Sequence, residues 1–561
     1  MRAALAKLAV PAVLYAVLGV LVVIPIVMIV VASFLTVPPF SGAGPLGFTT
    51  ANYAQLWNAG IGMAAFNTLT IGLGGSLIAL LIGCGLAWLA ARTDIAAPSF
   101  VYLAGIMPLF VSVLVAAAAW SSLASGHSGY INLALAGMNI PWHVDVESRG
   151  GIALIFGLYY APYPFLFMYG ALSLIHSDLE EAAALGGASL ATTLRKITFP
   201  LVKPALLGAM LLVFALIVED FPVPELLGQP VGIQTLSIAI YNLMTHTPTQ
   251  QNAASALSVL LMIVTVSFVY LQRSLLGGND YRTVTGKGMQ ARRFRLGRMR
   301  GVAFAAVVGY VLLAIAAPAF ALLEGTFRTN LYVPNFAALF APQGLSFAPL
   351  VSAVTDPVVL SGALNSLASG LGASLVGTAL FFTTAYVVHR TKLPGRAGLE
   401  YLATVPVAIP ALVLGIGILW TWLASPLPVY GTLTLLSIGY IARFIPQGYR
   451  AVASSMMQVH DDLEHAAQIG GANRRQILWH IMLPLIRDGV ASSVFIMFIL
   501  SLRELTTSLF LYTTSTRTVA IVIYEKYISG SWAQVASISL IFTIALALVT
   551  LSGRRWLQSR I

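Results

Sequence analysis

Residues 178–204 read DLEEAAALGGASLATTLRKITFPLVKP, and residues 462–488 read DLEHAAQIGGANRRQILWHIMLPLIRD. From Asp178–Pro200 to Asp462–Pro484 the register holds without a gap, and 11 of 23 positions are identical. Each copy is a polar island between long apolar runs, which reads as a structured loop beside a membrane. The rest of the chain can be laid out around the two islands.

Of the 561 residues, 58% are hydrophobic and 9% are charged. A soluble globular chain carries about 25% charged residues, so most of this one is expected to lie in lipid. The net charge of +11 does not point to nucleic acid, because the basic residues sit in short stretches between apolar runs, as an anionic membrane face favours. The one cysteine, Cys84, lies inside an apolar run, which excludes an intrachain disulfide and argues against a cysteine-based metal site. The first apolar run continues too far for a cleaved signal and reads as a first span.

A bilayer-crossing helix needs roughly 20 mostly apolar residues. Candidate spans are 9–35, 64–90, 100–123, 151–172, 205–220 and 254–271, then 302–323, 364–388, 399–423, 430–446, 489–510 and 533–552. The expectation is an all-α integral membrane protein of about twelve transmembrane helices. Segment 205–220 is short, and 430–446 is interrupted by Gly439 and Arg443. With the N-terminus inside, 25 of the 30 Lys and Arg fall on the inner side. The positive-inside rule then puts both termini and both islands in the cytoplasm.

Residues 272–301, with eight basic residues and one acid, read as a cytoplasmic linker between a first membrane domain, 1–271, and a second, 302–561. TGKG at Thr285–Gly288 lacks both the earlier glycine and the following Ser or Thr of a phosphate loop. The duplication reaches beyond the islands: NTLTIGLGGSLIALLIGCGLAWLAART (67–93) aligns without gaps on NSLASGLGASLVGTALFFTTAYVVHRT (365–391). Gly72/Gly370 and Gly74/Gly372 coincide, small residues that allow close helix approach in lipid. Two parallel six-helix repeats imply a pseudo-two-fold axis along the membrane normal, with any substrate path between them.

Within the first island, Asp178 can cap a helix from about Leu179 to Leu185, with Glu180 and Glu181 in its first turn. Gly186-Gly187 stops it. A second amphipathic helix then runs from about Ser189 to Thr198 and is expected to end at Pro200. A helix, a glycine bend and another helix make a shape that docks into a partner's groove.

The pattern Glu181-Ala182-Ala183, then Gly187, then Ile197-x-Phe199-Pro200 resembles the EAA loop of binding-protein-dependent ABC importer permeases, with Phe199 in place of Leu. In the second island His465 stands at the Glu position, beside the shared acid Glu464, while Ala466, Ala467, Gly471, Ile481, Leu483 and Pro484 fit. The resemblance implies a fused permease of the type I importer fold, in which one chain supplies both membrane domains in a bacterial inner membrane. The chain itself would be no enzyme and would hold no cofactor. ATP and Mg²⁺ would be bound by two copies of a partner ATP-binding subunit, each seated on one loop, and an extracytoplasmic binding protein would deliver cargo. Within the family the wording around 281–288 and 503–523 is most similar to fused ferric-iron permeases. Thiamine, phosphonate and polyamine permeases are close cousins.

Other residues stand out less sharply. Glu219, Asp220 and Glu225 follow the fifth span, and Arg503-Glu504 occupies the matching place in the second half. Such charges either line a path or sit paired at its outer mouth. Tyr159, Tyr160 and Tyr163 either contact cargo or belong to an interfacial aromatic belt. His127, His143 and His246 show no ligand spacing, so no metal site is expected. Two other classes share the gross pattern, a major-facilitator-type secondary transporter and a membrane scaffold with docking loops. Cysteines introduced at Ser189 and Asn473 should resist impermeant thiol reagents on intact cells, while cysteines at Ser41 or Ser346 should label; labelling of both islands from outside would invert the topology.

Overall fold

The computed structural model describes the chain apart from residues 1, 41–45, 59, 127, 176–181, 184, 277–293, 330–332, 342–343 and 559–561. His127, Asp178, Glu180, Glu181 and most of the linker therefore lie outside the described residues. Among the described residues every regular element is a helix.

Among the described residues seven helices are long and apolar enough to cross a membrane, and four bent pairs raise the number to eleven. Eleven of the expected spans correspond to these. The twelfth, 430–446, lies in the helix Leu433–Gln458, which is not apolar enough to count as a span, since Arg443, Gln447, Arg450 and several small polar residues lie within it. Segment 205–220 proves to be the end of a longer helix, Leu194–Glu219.

That length corrects the expectation that Pro200 ends a separate helix. Residues Leu194–Thr198 form a π turn, in which the Phe199 N–H bonds to the Leu194 carbonyl, and the helix continues through Pro200 to Glu219. The wider i→i+5 turn relieves the ladder where proline lacks an N–H and would clash with the carbonyl four residues back. The same device recurs before Pro25, at Gly19–Val23, before Pro318, at Leu312–Ala316, and before Pro484, at Ile477–Met482. At all four sites the residue just before the proline makes the i→i−5 bond. Prolines that read as helix stops are thus built into continuous segments.

The longest helices, Ile61–Arg92 and Pro357–Arg390, occupy equivalent places in the two halves. Asp356 caps the second, accepting the Val358 N–H at 2.8 Å, and Pro357 fills the first helical position. The shared glycines do what their spacing predicts. A Cβ on Gly72 would lie 3.0 Å from Phe214, and on Gly370 3.3 Å from Phe498, the repeat counterpart of Phe214. Likewise Gly74 faces Ala153 and Gly372 faces Ser437, again counterparts.

The first helix of each half packs against the other half. Ile24–Ser33 lies on Ala411–Leu423, and the Tyr15 hydroxyl donates to the Gly395 carbonyl. Reciprocally, on the helix that opens the second half, Tyr310 donates to the Leu158 carbonyl at 2.9 Å, and Tyr159 donates to Ala314 at 2.9 Å. The linker's last residues dock back as well: Phe294 exchanges backbone hydrogen bonds with Arg92 and Asp94 and stacks on Trp88.

Gly417 is the closest point of one such exchange, since a Cβ there would meet the Pro25 carbonyl at 2.6 Å. Gly417→Leu should therefore cost about 1–3 kcal/mol by overpacking, seen as a lower thermal midpoint in detergent. Gly19→Ala, which faces open space, should cost nothing; equal behaviour of the two variants would contradict the packing described.

Candidate functional site

Two helices break in the membrane at matching places. Pro98–Phe110 turns into Val113–Ala124 through 96°, and Arg396–Ala408 into Ala411–Leu423 through 117°. Pro108 and Pro406 occupy the same repeat position, each opening a short 3-10 turn, and the chain then runs extended before the next helix. A break frees carbonyls that lipid cannot satisfy. Two arginines take them. Arg503 donates to the carbonyls of Leu109 at 2.6 Å and Val111 at 2.8 Å, and Arg443 donates to Ile409 at 3.0 Å. From the first half, Thr265 donates to Ala408 at 2.8 Å. Arg503 and Thr265 thus fasten each half to the broken helix of the other.

Arg443 also pairs across the halves with Glu219, Nη2 to Oε1 at 2.7 Å. Asp220 accepts the Val223 N–H at 3.1 Å and the Tyr160 hydroxyl at 3.0 Å. Its repeat counterpart Glu504 accepts the Thr507 N–H at 2.7 Å, the same capping role. Tyr163 stacks on Tyr160, with ring centroids 5.8 Å apart.

These side chains surround a cavity of about 230 Å³ between the halves. Of the sequence candidates, Glu219, Asp220, Arg503, Glu504, Tyr159, Tyr160 and Tyr163 all line it. Tyr159 turns its hydroxyl away, to Ala314. Glu225 is not part of the lining and instead accepts from Tyr524 at 3.0 Å. Sequence reading missed Arg443 and Gln447 as lining residues. The signal was available, because in the repeat register Arg443 falls on Tyr159 and Gln447 on Tyr163.

A second cavity, about 450 Å³, opens toward the islands and shares Tyr163, Leu216, Glu219, Arg443, Gln447 and Leu500 with the first. The Arg443–Glu219 pair therefore stands in the partition between them. A third, about 520 Å³, lies on the opposite face between Ser121, Ser125 and Glu147 of the first half and Tyr527 and Trp532 of the second. Among the described residues no group of three or more His, Cys, Asp or Glu could hold a metal ion.

On the island face the second island folds as helix Asp461–Ile469, a bend at Gly471 with φ +84°, and a helix opened by the Asn473–Gln476 capping box. The Gly470 and Ala472 N–H groups close the first helix on the Ala466 and Ala467 carbonyls, both at 3.0 Å. In the first island Gly186 and Ala188 bond to Ala182 and Ala183 in the same way, and Gly187 has φ +78°. The residue before each glycine pair is an open apolar tip: Leu185 is 91% exposed and Ile469, its counterpart, 89%. His465 and Ala466 are exposed, Ala467 is half-buried, Ile197 and Ile481 are half-buried, and Pro200 and Pro484 are exposed.

Glu464 points the other way and is 8% exposed. Arg390, the last residue of Pro357–Arg390, lies 3.6 Å from it, pairs with Asp461, and donates to the carbonyls of Met456 and Val459. Burial raises the Glu464 carboxyl above the usual range, against the pull of Arg390. One guanidinium thus joins the long central helix, the end of Leu433–Gln458 and the start of the island helix.

Compared with known proteins, residues 75–277 and 384–561 match the family described as binding-protein-dependent transport system inner membrane component. The match falls twice, once over each island. The chain is 26% identical to a ferric transport system permease protein of Actinobacillus pleuropneumoniae over 76% of its own length, and it covers 62% of that protein. Against a protein of Haemophilus influenzae assigned as a ferric transport system permease it is 28% identical, again over 76% of its length and over 66% of the relative. It thus spans somewhat less than two thirds of these two relatives. With an assigned ABC transporter permease of Sinorhizobium fredii it shares 24% identity over 89% of this chain and 87% of the other. A crystal structure of a bacterial ABC transporter that imports alginate gives a TM-score of 0.38 at 15% identity, over 47% of this chain and 96% of that one.

The buried pair at the partition can be tested by a double-mutant cycle. Glu219→Ala leaves a buried guanidinium without its counter-charge and should cost about 3–5 kcal/mol. The double variant with Arg443→Ala should cost clearly less than the two single losses added together. Additive losses in thermal unfolding would show that the two side chains are not energetically coupled.

Proposed function

Because the chain belongs to the family of binding-protein-dependent transport system inner membrane components, we propose that it is the membrane-spanning permease of an ATP-driven importer, with ferric iron as cargo. The family leaves no room for a major-facilitator carrier or a scaffold. The reading has the islands and both termini in the cytoplasm of a bacterial inner membrane. Each island seats in one of two ATP-binding subunits, which hold ATP and Mg²⁺, and an extracytoplasmic binding protein delivers cargo to the opposite face. The observation that carries the reading is the paired open tips, Leu185 and Ile469, held by the same glycine bend at the same repeat position. Two apolar knobs on rigid turns are what a pair of identical grooves would take.

The chemistry follows from the joints. Closure of the ATP-binding subunits moves the two islands together. Through Arg390 the second island pulls on the end of Leu433–Gln458, and that same helix carries Arg443. A rigid helix passes the displacement to the Arg443–Glu219 pair between two cavities, so ATP-driven motion reaches the partition in the path. In the first island Glu180, Glu181, Ala182 and Ala183 take the corresponding place by register. The iron reading is supported by the ferric relatives and by a central cavity rich in carboxylate and phenol oxygens, the donors that hard cations favour.

The test is a complex reconstituted in vesicles with the ATP-binding subunit and binding protein. Ferric-loaded binding protein should raise hydrolysis and drive radiolabelled iron inward. Ile469→Asp should weaken subunit assembly by about 2 kcal/mol or more, as loss of a central apolar anchor does, and abolish the stimulation. Unchanged stimulation in Ile469→Asp would remove the docking role, and stimulation by another loaded cargo but not by iron would replace the substrate.

A further inference from the structure

Between the central cavity and the one on the opposite face stands a small group of oxygen atoms that the transport reading does not use. Glu225 lies in the turn Pro224–Gly228, between Pro222 of the central cavity and Pro230 of the opposite-face cavity. Tyr524 lies one helical turn before Tyr527, which lines the opposite-face cavity. Tyr241 and Tyr524 are repeat counterparts, on helices Leu236–Thr245 and Val519–Ile528 that both begin after a threonine. Their hydroxyls meet 3.5 Å apart across the interface of the halves.

Glu225 is 6% exposed. Its Oε1 accepts from the Tyr524 hydroxyl at 3.0 Å, while Oε2 is buried with no hydrogen-bond partner. A buried carboxylate oxygen without a partner is costly, and the repeat does not require it, since Leu509 stands at the counterpart position. His246 stands exposed at the end of the Tyr241 helix. Phe221 packs against both tyrosines and closes the group on one side.

We propose that Glu225, Tyr241 and Tyr524 form an oxygen-donor station for a hard multivalent cation on the entry side of the route. Oxygens that share one octahedral cation at about 2.0–2.1 Å sit roughly 3 Å from one another, close to the separations already present here, 3.0 Å and 3.5 Å. One carboxylate and two phenols are hard donors. Each phenol that becomes a ligand loses its proton, and the protons pass to water in the adjoining cavities. Glu225 and Tyr241 belong to the first half and Tyr524 to the second, so a bound cation bridges the halves. Movement of the halves apart withdraws Tyr524 and releases the cation. The inference rests on the proposal that the cargo is a cation, and it adds where the cargo first leaves its carrier.

The probe is ferric citrate added to the purified full-length chain in detergent, read by the visible phenolate-to-iron charge-transfer absorption. Wild type should develop the band. Tyr241→Phe and Tyr524→Phe should each weaken apparent binding by at least the roughly 10–100-fold that loss of an outer-shell partner costs a metal site, and Glu225→Gln should do the same. Tyr270→Phe, at a tyrosine 74% exposed, should keep it. No band in wild type, or a band that survives in the Tyr241→Phe/Tyr524→Phe double variant, overturns the station. Iron import by the reconstituted complex is scored separately. Import without a band leaves the cargo reading standing and removes the station; a band without import does the reverse.

Discussion

The satisfaction of broken-helix carbonyls by two partly buried arginines is the constraint on which the rest of this structure depends. A helix that breaks within the membrane exposes acceptors that lipid cannot serve, and each unsatisfied group costs about 1–3 kcal/mol or more. Arg503 and Arg443 answer three such carbonyls with charge-assisted bonds, which are roughly twice as strong as neutral ones. A guanidinium brought into that region needs its own compensation, and for Arg443 it comes from Glu219 of the other half. The breaks therefore require the charges, and the charges hold the halves in register around a polar cavity.

The repeat supplies a nearly symmetric scaffold, and the chemistry is laid on it asymmetrically. Gly72 and Gly370 meet the counterparts Phe214 and Phe498, and Asp220 and Glu504 cap matching turns. Yet Tyr159 faces Arg443 in the register, Tyr163 faces Gln447, Glu219 faces Arg503, and Glu225 faces Leu509. Packing positions are shared because both halves must solve the same problem of close approach without a hydrophobic drive. Positions that face the interior of the pair are free to differ, since each meets a different neighbour across the axis.

The islands follow the same division. Their bends are alike because a left-handed residue can be glycine at no steric cost, and both Gly187 and Gly471 have positive φ. Their continuations differ. The first runs straight through its π turn and Pro200 into a span, whereas the second bends by 72° between Arg474–Leu485 and Arg487–Arg503. Arg390 then ties the second island helix to two membrane helices at once, so a displacement of that island is not absorbed locally.

By itself the sequence determined what is local or repeated. The duplicated islands, the glycine bends, the apolar runs and the Arg-Thr ends of the long helices are written in contiguous residues, and physics reads them at short range. It also marked Glu219, Asp220, Arg503 and Glu504, because charges in an apolar run are conspicuous wherever they point. Tertiary structure decided the rest. Pro200 looked like a stop until the π turn before it showed how the ladder adapts. Arg443 looked like a flaw in a span until Glu219, far away in sequence, and the freed Ile409 carbonyl gave it partners. Glu464 stood in the island only as an acid shared by both copies, and the fold buries it on Arg390. The exchange of first helices between halves leaves no mark in either segment alone. In each case the deciding energy belongs to a pair brought together by the fold, and a pair energy cannot be read from one member.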